Sequence, residues 1–153
     1  MRVAIIHDWL TGMRGGENCL EVFCEIFPEA DLFTLLHIPG SVSPGIEKLN
    51  IKTSFLQHLP MSYTRYREML PLMPSAIRSL ELRDYDFILS SSHCVAKGVL
   101  GGPNTFHLCY CYTPMRYAWS AYKEYFGDGR LKWPMTIFVP RIMEYLRRWD
   151  FES

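Results

Sequence analysis

Val3-Ala4-Ile5-Ile6-His7-Asp8-Trp9-Leu10-Thr11-Gly12-Met13-Arg14-Gly15-Gly16-Glu17 is the stretch whose reading decides the fold. Its first four residues are a short apolar, partly β-branched run, and His7, Asp8 and Trp9 follow at once. A glycine-punctuated turn comes next. Beyond it, Leu20, Phe23, Cys24 and Phe27 fall at i, i+3, i+4 and i+7, the spacing of one helix face. The order is strand, glycine loop, helix. A run this short and this apolar suits a parallel strand covered on both faces. Parallel sheets carry their binding sites at the carboxyl ends of their strands, where this loop falls. Gly15 and Gly16 lack side chains, so a ligand can approach their backbone. Free N–H groups and the positive end of the helix dipole favour an anion, typically phosphate. The same spacing also serves a tight strand-to-helix turn with no ligand.

The chain has 153 residues, which suits one domain with a real core. Hydrophobic residues make up 48%, which argues against disorder. Sixteen basic residues balance sixteen acidic ones, so the basic excess of a nucleic-acid binder is missing. Five cysteines is an odd number, and no signal-peptide pattern precedes the first strand. A reducing cytoplasm is the expected compartment. No apolar run reaches the ~20 residues that span a bilayer. Aromatic residues cluster after position 105, as on an amphipathic or sugar-facing surface.

Further along, residues 31–36 and 51–55 read as the second and third strands, joined by a loop containing Pro39, Gly40, Pro44 and Gly45. A dinucleotide-binding unit would place an acid at the end of its second strand. Here that strand ends in Leu36 and His37, and the glycines are spaced G-x-x-G-G, so a nicotinamide cofactor is disfavoured. No Gly-Lys-Ser/Thr follows, which excludes a Walker loop. Residues 60–83 are helical in pattern but broken by Pro71 and Pro74. Their mixture of Tyr63, Arg65, Tyr66, Arg67, Leu70 and Leu72 suits a surface helix pair with snorkelling arginines. It is also compatible with peripheral contact at a membrane surface or with an amphipathic acceptor.

Phe87-Ile88-Leu89 reads as the fourth strand, followed by Ser90-Ser91-Ser92-His93. Serines there cap the next helix or bind sugar or phosphate oxygens. A serine nucleophile is not expected, because no G-x-S-x-G elbow surrounds them. Lys97 and Gly98 mark a short helix. Residues 105–112 form the fifth strand, with His107, Cys109 and Cys111 alternating onto one face. The outer two are ~13 Å apart along a strand. One zinc ion, with ligands at about 2.0–2.3 Å, does not collect all three. Small buried cysteines are the expectation instead. Pro114 fits a helix start, Arg116 suits an anion, and Trp119 suits a core or a sugar face. Pro140 is placed as another helix start, with Ile142, Tyr145, Leu146 and Trp149 on one face. That last pattern is still in register at Ser153, with no glycine cap, and reads as continuing into further protein.

Three stretches together, residues 3–17, 90–99 and 109–119, closely resemble family 4 glycosyltransferases, and within them bacterial mannosyltransferase-like enzymes of polysaccharide biosynthesis. The resemblance spans nearly the whole chain, including Arg147-Arg148-Trp149-Asp150. It implies a GT-B fold: two Rossmann-like domains facing across a cleft, the N-terminal one mostly receiving the acceptor. Residues 1–153 would then be that N-terminal, acceptor-side domain, an α/β parallel sheet with helices on both faces. The C-terminal donor-binding domain and its glutamates are absent from this stretch. Members are retaining hexosyltransferases that use a nucleotide-sugar as co-substrate, need no metal and no separate cofactor, and transfer to a glycan or lipid-linked acceptor. The implied location is cytoplasmic, or peripheral at the inner membrane face.

By the same resemblance, Gly15 and Gly16 approach the donor diphosphate and Gly12 shapes that loop. Asp8, Trp9, Ser92, His93 and Arg116 line the cleft. Many relatives read His-Thr-Pro where this chain has Tyr112-Thr113-Pro114, and that histidine faces the reacting sugar. Tyr112 is thus the catalytic candidate. A tyrosine, with an ordinary pKa of about 10, is a poor base at neutral pH but a competent hydrogen-bonding group. Ser120 stands where relatives often carry aspartate. On its own such a domain is expected to be inactive, having one wall of the site. The alternative is a non-catalytic Rossmann-like module that binds a ligand or a partner and is complete as it stands. A phosphoreceiver domain fits poorly, since Asp8 has no adjacent acid with which to share a metal ion.

Overall fold

The computed structural model describes residues 1–60, 62–127 and 134–153. The chain divides into two compact units, Met1–Tyr112 and Thr113–Ser153. In the first, β1 (Val3–His7), β2 (Asp31–Thr34), β3 (Asn50–Thr53), β4 (Phe87–Ser92) and β5 (Phe106–Cys111) form one sheet in the order β3-β2-β1-β4-β5. Every pairing is parallel. This is the expected α/β, Rossmann-like sheet.

The strand-loop-helix reading of the first stretch holds. Ala4, Ile5, Ile6 and His7 are fully buried in β1. Helix α1 (Gly15–Ile26) lays Leu20 and Cys24 against Ile5, Leu32 and Ala30, and α2 (Pro44–Glu47) adds Ile46 to the same core. Burying a side chain of this size contributes roughly 1.5–3 kcal/mol each. The helical pattern of residues 60–83 resolves, position 61 apart, into α3 (Ser62–Arg65), a 3₁₀ stretch at Tyr66–Leu72 and α4 (Met73–Arg78). Pro71 lies in the 3₁₀ stretch and Pro74 in the first turn of α4, where its missing N–H costs no bond.

Several boundaries move. β2 stops at Thr34, although Leu35 and Leu36 stay buried, and β3 begins one residue early at Asn50 and ends at Thr53. Phe55 belongs instead to a 3₁₀ turn at Phe55–His58, capped by Ser54, whose hydroxyl accepts the Leu56 N–H at 3.2 Å. Ser90, Ser91 and Ser92 lie inside β4 rather than after it. The cysteine expectation is overturned: Cys109 and Cys111 are exposed. β5 is an edge strand, and all six of its residues are exposed, so alternation there does not separate core from solvent.

In the second unit, Pro114 begins no helix; residues 114–121 turn irregularly until α5 (Tyr122–Phe126). Helix α6 (Met135–Glu152) starts a turn before Pro140 and carries that proline inside it. The cost is one backbone bond, because an interior proline has no N–H to give. The buried stripe of α6 is Met143, Leu146, Trp149 and Asp150, and Tyr145 faces outward. Trp119 is tied within this unit, its indole N–H donating to Asp150 Oδ2 at 2.7 Å. No helix among the described residues is long and apolar enough to cross a membrane.

Candidate functional site

In a sheet ordered β3-β2-β1-β4-β5 the chain reverses direction across the sheet between β1 and β4. Ligands of open parallel sheets bind at such a switch point, beyond the carboxyl ends of the strands. The register pairs His7 with Ser91 and Ser92 with Cys111, so residues 8–16, His93 and Tyr112 emerge together at that edge.

Asp8 does its work from beneath. Its carboxylate is fully buried and accepts four backbone N–H groups: His93 at 2.8 Å and Cys94 at 2.9 Å on Oδ2, Val95 at 2.6 Å and Ala96 at 2.8 Å on Oδ1. The His93 ring adds Nδ1 at 3.1 Å from Oδ2. Burial alone would raise this carboxyl. The His93 hydrogen bond and the charges of His93 and His7 outweigh it and hold the pKa at about 2. Asp8 therefore shapes the rim and does not line it. Ser92 is likewise buried, its hydroxyl accepting the Lys97 N–H at 3.2 Å. Trp9 is nearly enclosed between Tyr66, at 5.3 Å, and His93, edge-on at 4.6 Å.

His93 is the member of this group that reaches the surface. Burial pulls its pKa down, but the Asp8 hydrogen bond, then the charges of Asp8 and Glu17, raise it above the ordinary value. Arg116 is exposed and belongs to the unit Thr113–Ser153.

The glycine turn is open. Gly15 is exposed, and a Cβ on Gly12 or Gly15 would meet nothing within 4 Å. Gly12 has φ +146°, a backbone that L side chains rarely adopt, so the turn itself demands glycine there. Gly15 and Gly16 are different. They lie in α1 with ordinary backbone, and a Cβ on Gly16 would rest at 3.6 Å from His7 Cε1, normal contact. The first intrahelical donor is Asn18 N–H, on the Arg14 carbonyl at 3.0 Å, which leaves the N–H groups of Gly15 and Gly16 ahead of the ladder.

Below the turn lies a group that motif reading did not find. Glu17 is buried at the third position of α1 and accepts the Arg14 N–H at 3.0 Å. Its Oε1 is 3.6 Å from His7 Nε2. Burial raises the Glu17 carboxyl, but the contact with His7 and its charge more than offset this and lower it. His7 Nδ1 is 3.0 Å from Ser91 Oγ, which is 2.9 Å from the Tyr112 hydroxyl, which is 3.0 Å from the Gly16 carbonyl. Glutamate three residues into a helix was the available signal for this group, the second half of a capping box.

Two hollows lie elsewhere in this unit. One of about 340 Å³ is walled by Arg2, Phe27, Asp31 and Tyr85. Another of about 400 Å³ is walled by Phe33, Lys52, Phe55 and Glu81. No cluster of three or more metal-binding side chains occurs among the described residues. No family model, curated protein or solved structure matches this chain.

Proposed function

We propose that this chain is the acceptor-side domain of a retaining, GT-B-type glycosyltransferase, which moves a sugar from a nucleotide-sugar to a glycan or lipid-linked acceptor. The observation that carries the reading is an open glycine pair at the switch point. The fold has room for a side chain at Gly15 and Gly16, yet neither position has one. Glycine within a helix costs roughly 0.5–1 kcal/mol relative to alanine. A bare backbone that the fold does not require is suited to a ligand that must come close, and a diphosphate fits the N–H groups and the dipole there.

In this reading the Gly15 and Gly16 N–H groups meet the leaving diphosphate, with Arg14 exposed beside them. Cations of a second, donor-binding domain complete the stabilisation of the departing charge, the electrostatic form of catalysis. His93 and Tyr112 face the acceptor side. The chain alone supplies one wall and is not expected to turn over.

Isothermal titration of the chain with nucleotide-sugars should show no tight binding; micromolar binding would put the donor site here and end this division of labour. The protein encoded by the whole uninterrupted reading frame should release nucleoside diphosphate and form a retained glycosidic bond. Absence of transfer across a panel of nucleotide-sugars and lipid-linked acceptors would remove the transferase reading.

One feature favours a second reading. The buried Glu17 carboxylate already occupies the positive end of α1 and opposes a phosphate there. A non-catalytic, partner-binding module has no need of that phosphate, and it would show neither nucleotide binding nor transfer in either protein.

A further inference from the structure

Between the Gly16 carbonyl and the Glu17 carboxylate run three polar side chains, Tyr112, Ser91 and His7, of which Ser91 and His7 are fully buried. Their proton positions follow from counting. A carbonyl oxygen only accepts, so the 3.0 Å contact requires the Tyr112 hydroxyl to donate to Gly16. A phenol has one proton, and that commits it. The 2.9 Å contact between Tyr112 and Ser91 is then a bond only if Ser91 donates. A serine hydroxyl also has one proton. The 3.0 Å contact between Ser91 and His7 Nδ1 is therefore a bond only if Nδ1 carries the hydrogen and donates.

We infer that the Gly16 carbonyl orients the whole chain of hydrogen bonds, so that Nδ1 of His7 carries a proton, and that Tyr112 is a positioning residue, a strut holding the first turn of α1, rather than a base. A Ser91 proton turned toward Nδ1 would leave either the 2.9 Å contact between Ser91 and Tyr112 or the 3.0 Å contact between Tyr112 and Gly16 without a hydrogen. That would forfeit one of the three bonds, and polar groups shielded from water are costly to leave unpaired. His7 Nε2 makes no hydrogen bond among the described residues, its Glu17 Oε1 neighbour lying at 3.6 Å, so Ser91 is the contact that holds the ring by a hydrogen bond. The phenol is also poorly suited to lose its proton, burial foremost pushing its pKa up to about 12. Both of its hydrogen bonds tie the end of β5 to the glycine turn and to β4, so the hydroxyl acts through Gly16 on whatever the turn meets.

The test uses histidine labelled with ¹⁵N in the intact chain. A long-range ¹H–¹⁵N spectrum should show Nδ1 of His7 bearing a proton up to the alkaline end of the folded range. Tyr112→Phe removes the hydroxyl that Ser91 serves, so Ser91 becomes free to donate to Nδ1. In that variant the proton should move from Nδ1 to Nε2, facing Glu17, under conditions where the wild type retains Nδ1–H. Ser91→Ala, which leaves the Tyr112 bond to Gly16 in place, should not move the Gly16 carbonyl carbon resonance, whereas Tyr112→Phe should shift it upfield. A bare Nδ1 in the wild type, or a His7 spectrum unchanged by Tyr112→Phe, would overturn the inference. The readout needs no sugar substrate, so its outcome is separate from that of the transferase assays.

Discussion

The Asp8 carboxylate and His93 are joined twice: Oδ2 accepts the His93 backbone N–H at 2.8 Å and lies 3.1 Å from the ring nitrogen Nδ1. One side chain at the end of β1 thereby ties down both the backbone and the ring that follow β4. A carboxylate suits this place because it alone among side chains presents two acceptor oxygens with no hydrogen of its own. The rim of the switch point rests on that pair.

Replacing Asp8 with asparagine keeps the shape but turns one oxygen into a donor facing two N–H groups. Tyr66 and Trp9 stay in place, so the loss is electrostatic. Asp8→Asn is expected to cost at least about 3 kcal/mol, since hydrogen bonds to charged groups are worth ~1.5–3 kcal/mol and buried donors are left unmet. Urea unfolding of the variant, with unchanged m-value, checks this. A loss below about 1 kcal/mol would deny the carboxylate its role.

Stability should depend on pH at both ends. The Asp8 pKa falls on folding from an ordinary 3.8 to about 2, so its contribution is present above about 4 and is lost as pH drops toward 2. His93 runs the other way, its pKa raised from an ordinary 6.5. Its contribution is whole below 6.5 and is lost as pH climbs through the raised value. Urea midpoints should therefore peak in the mildly acidic range. His93→Gln should flatten the alkaline limb and also weaken the acid limb, because the His93 ring helps to hold the Asp8 carboxyl down; an unaltered alkaline limb would exclude His93 as its source.

The glycines should separate by backbone. Gly12→Ala forces a side chain into φ +146° and is expected to destabilise by roughly 1–2 kcal/mol. Gly15→Ala meets open space and should leave stability unchanged or raise it by up to about 1 kcal/mol. If the turn receives a diphosphate, Gly15→Ala in the full-frame protein lowers kcat/KM at least tenfold with the fold intact. Thermal melts run beside transfer assays distinguish the two effects.

Tyr112→Phe removes one donor and one acceptor and should cost about 1–2 kcal/mol. If the transferase reading holds and the hydroxyl is a strut, turnover of the full-frame protein falls by no more than about tenfold, and its pH profile keeps the same shape. Loss of an entire limb of that profile would return Tyr112 to proton transfer.

Much of the architecture was legible in residue order. The run at residues 3–6, the glycines after it and the 3.6-residue spacing of Leu20, Cys24 and Phe27 specify strand, loop and helix, because they follow from local periodicity. The same holds for the position of all five strands to within a few residues. Side-chain roles at the rim were not legible in this way. Asp8, Ser92 and Trp9 read as cleft-lining groups, yet each is buried, because local pattern does not say that the backbone of residues 93–97 will fold back onto Asp8 and Ser92, or that the Tyr66 and His93 rings will enclose Trp9. The cysteines of β5 read as buried, yet on that edge strand both are exposed, because alternation says nothing of what covers a strand's faces.

The residue types and their spacing, then, determined that a glycine turn would stand at the carboxyl end of a buried parallel strand. Only the tertiary structure decided that His7, Glu17, Ser91 and Tyr112 would meet beneath it. Those residues are separated by up to 105 positions in the chain, and hydrogen-bond partners at that range are chosen by strand order and register, which periodicity does not encode.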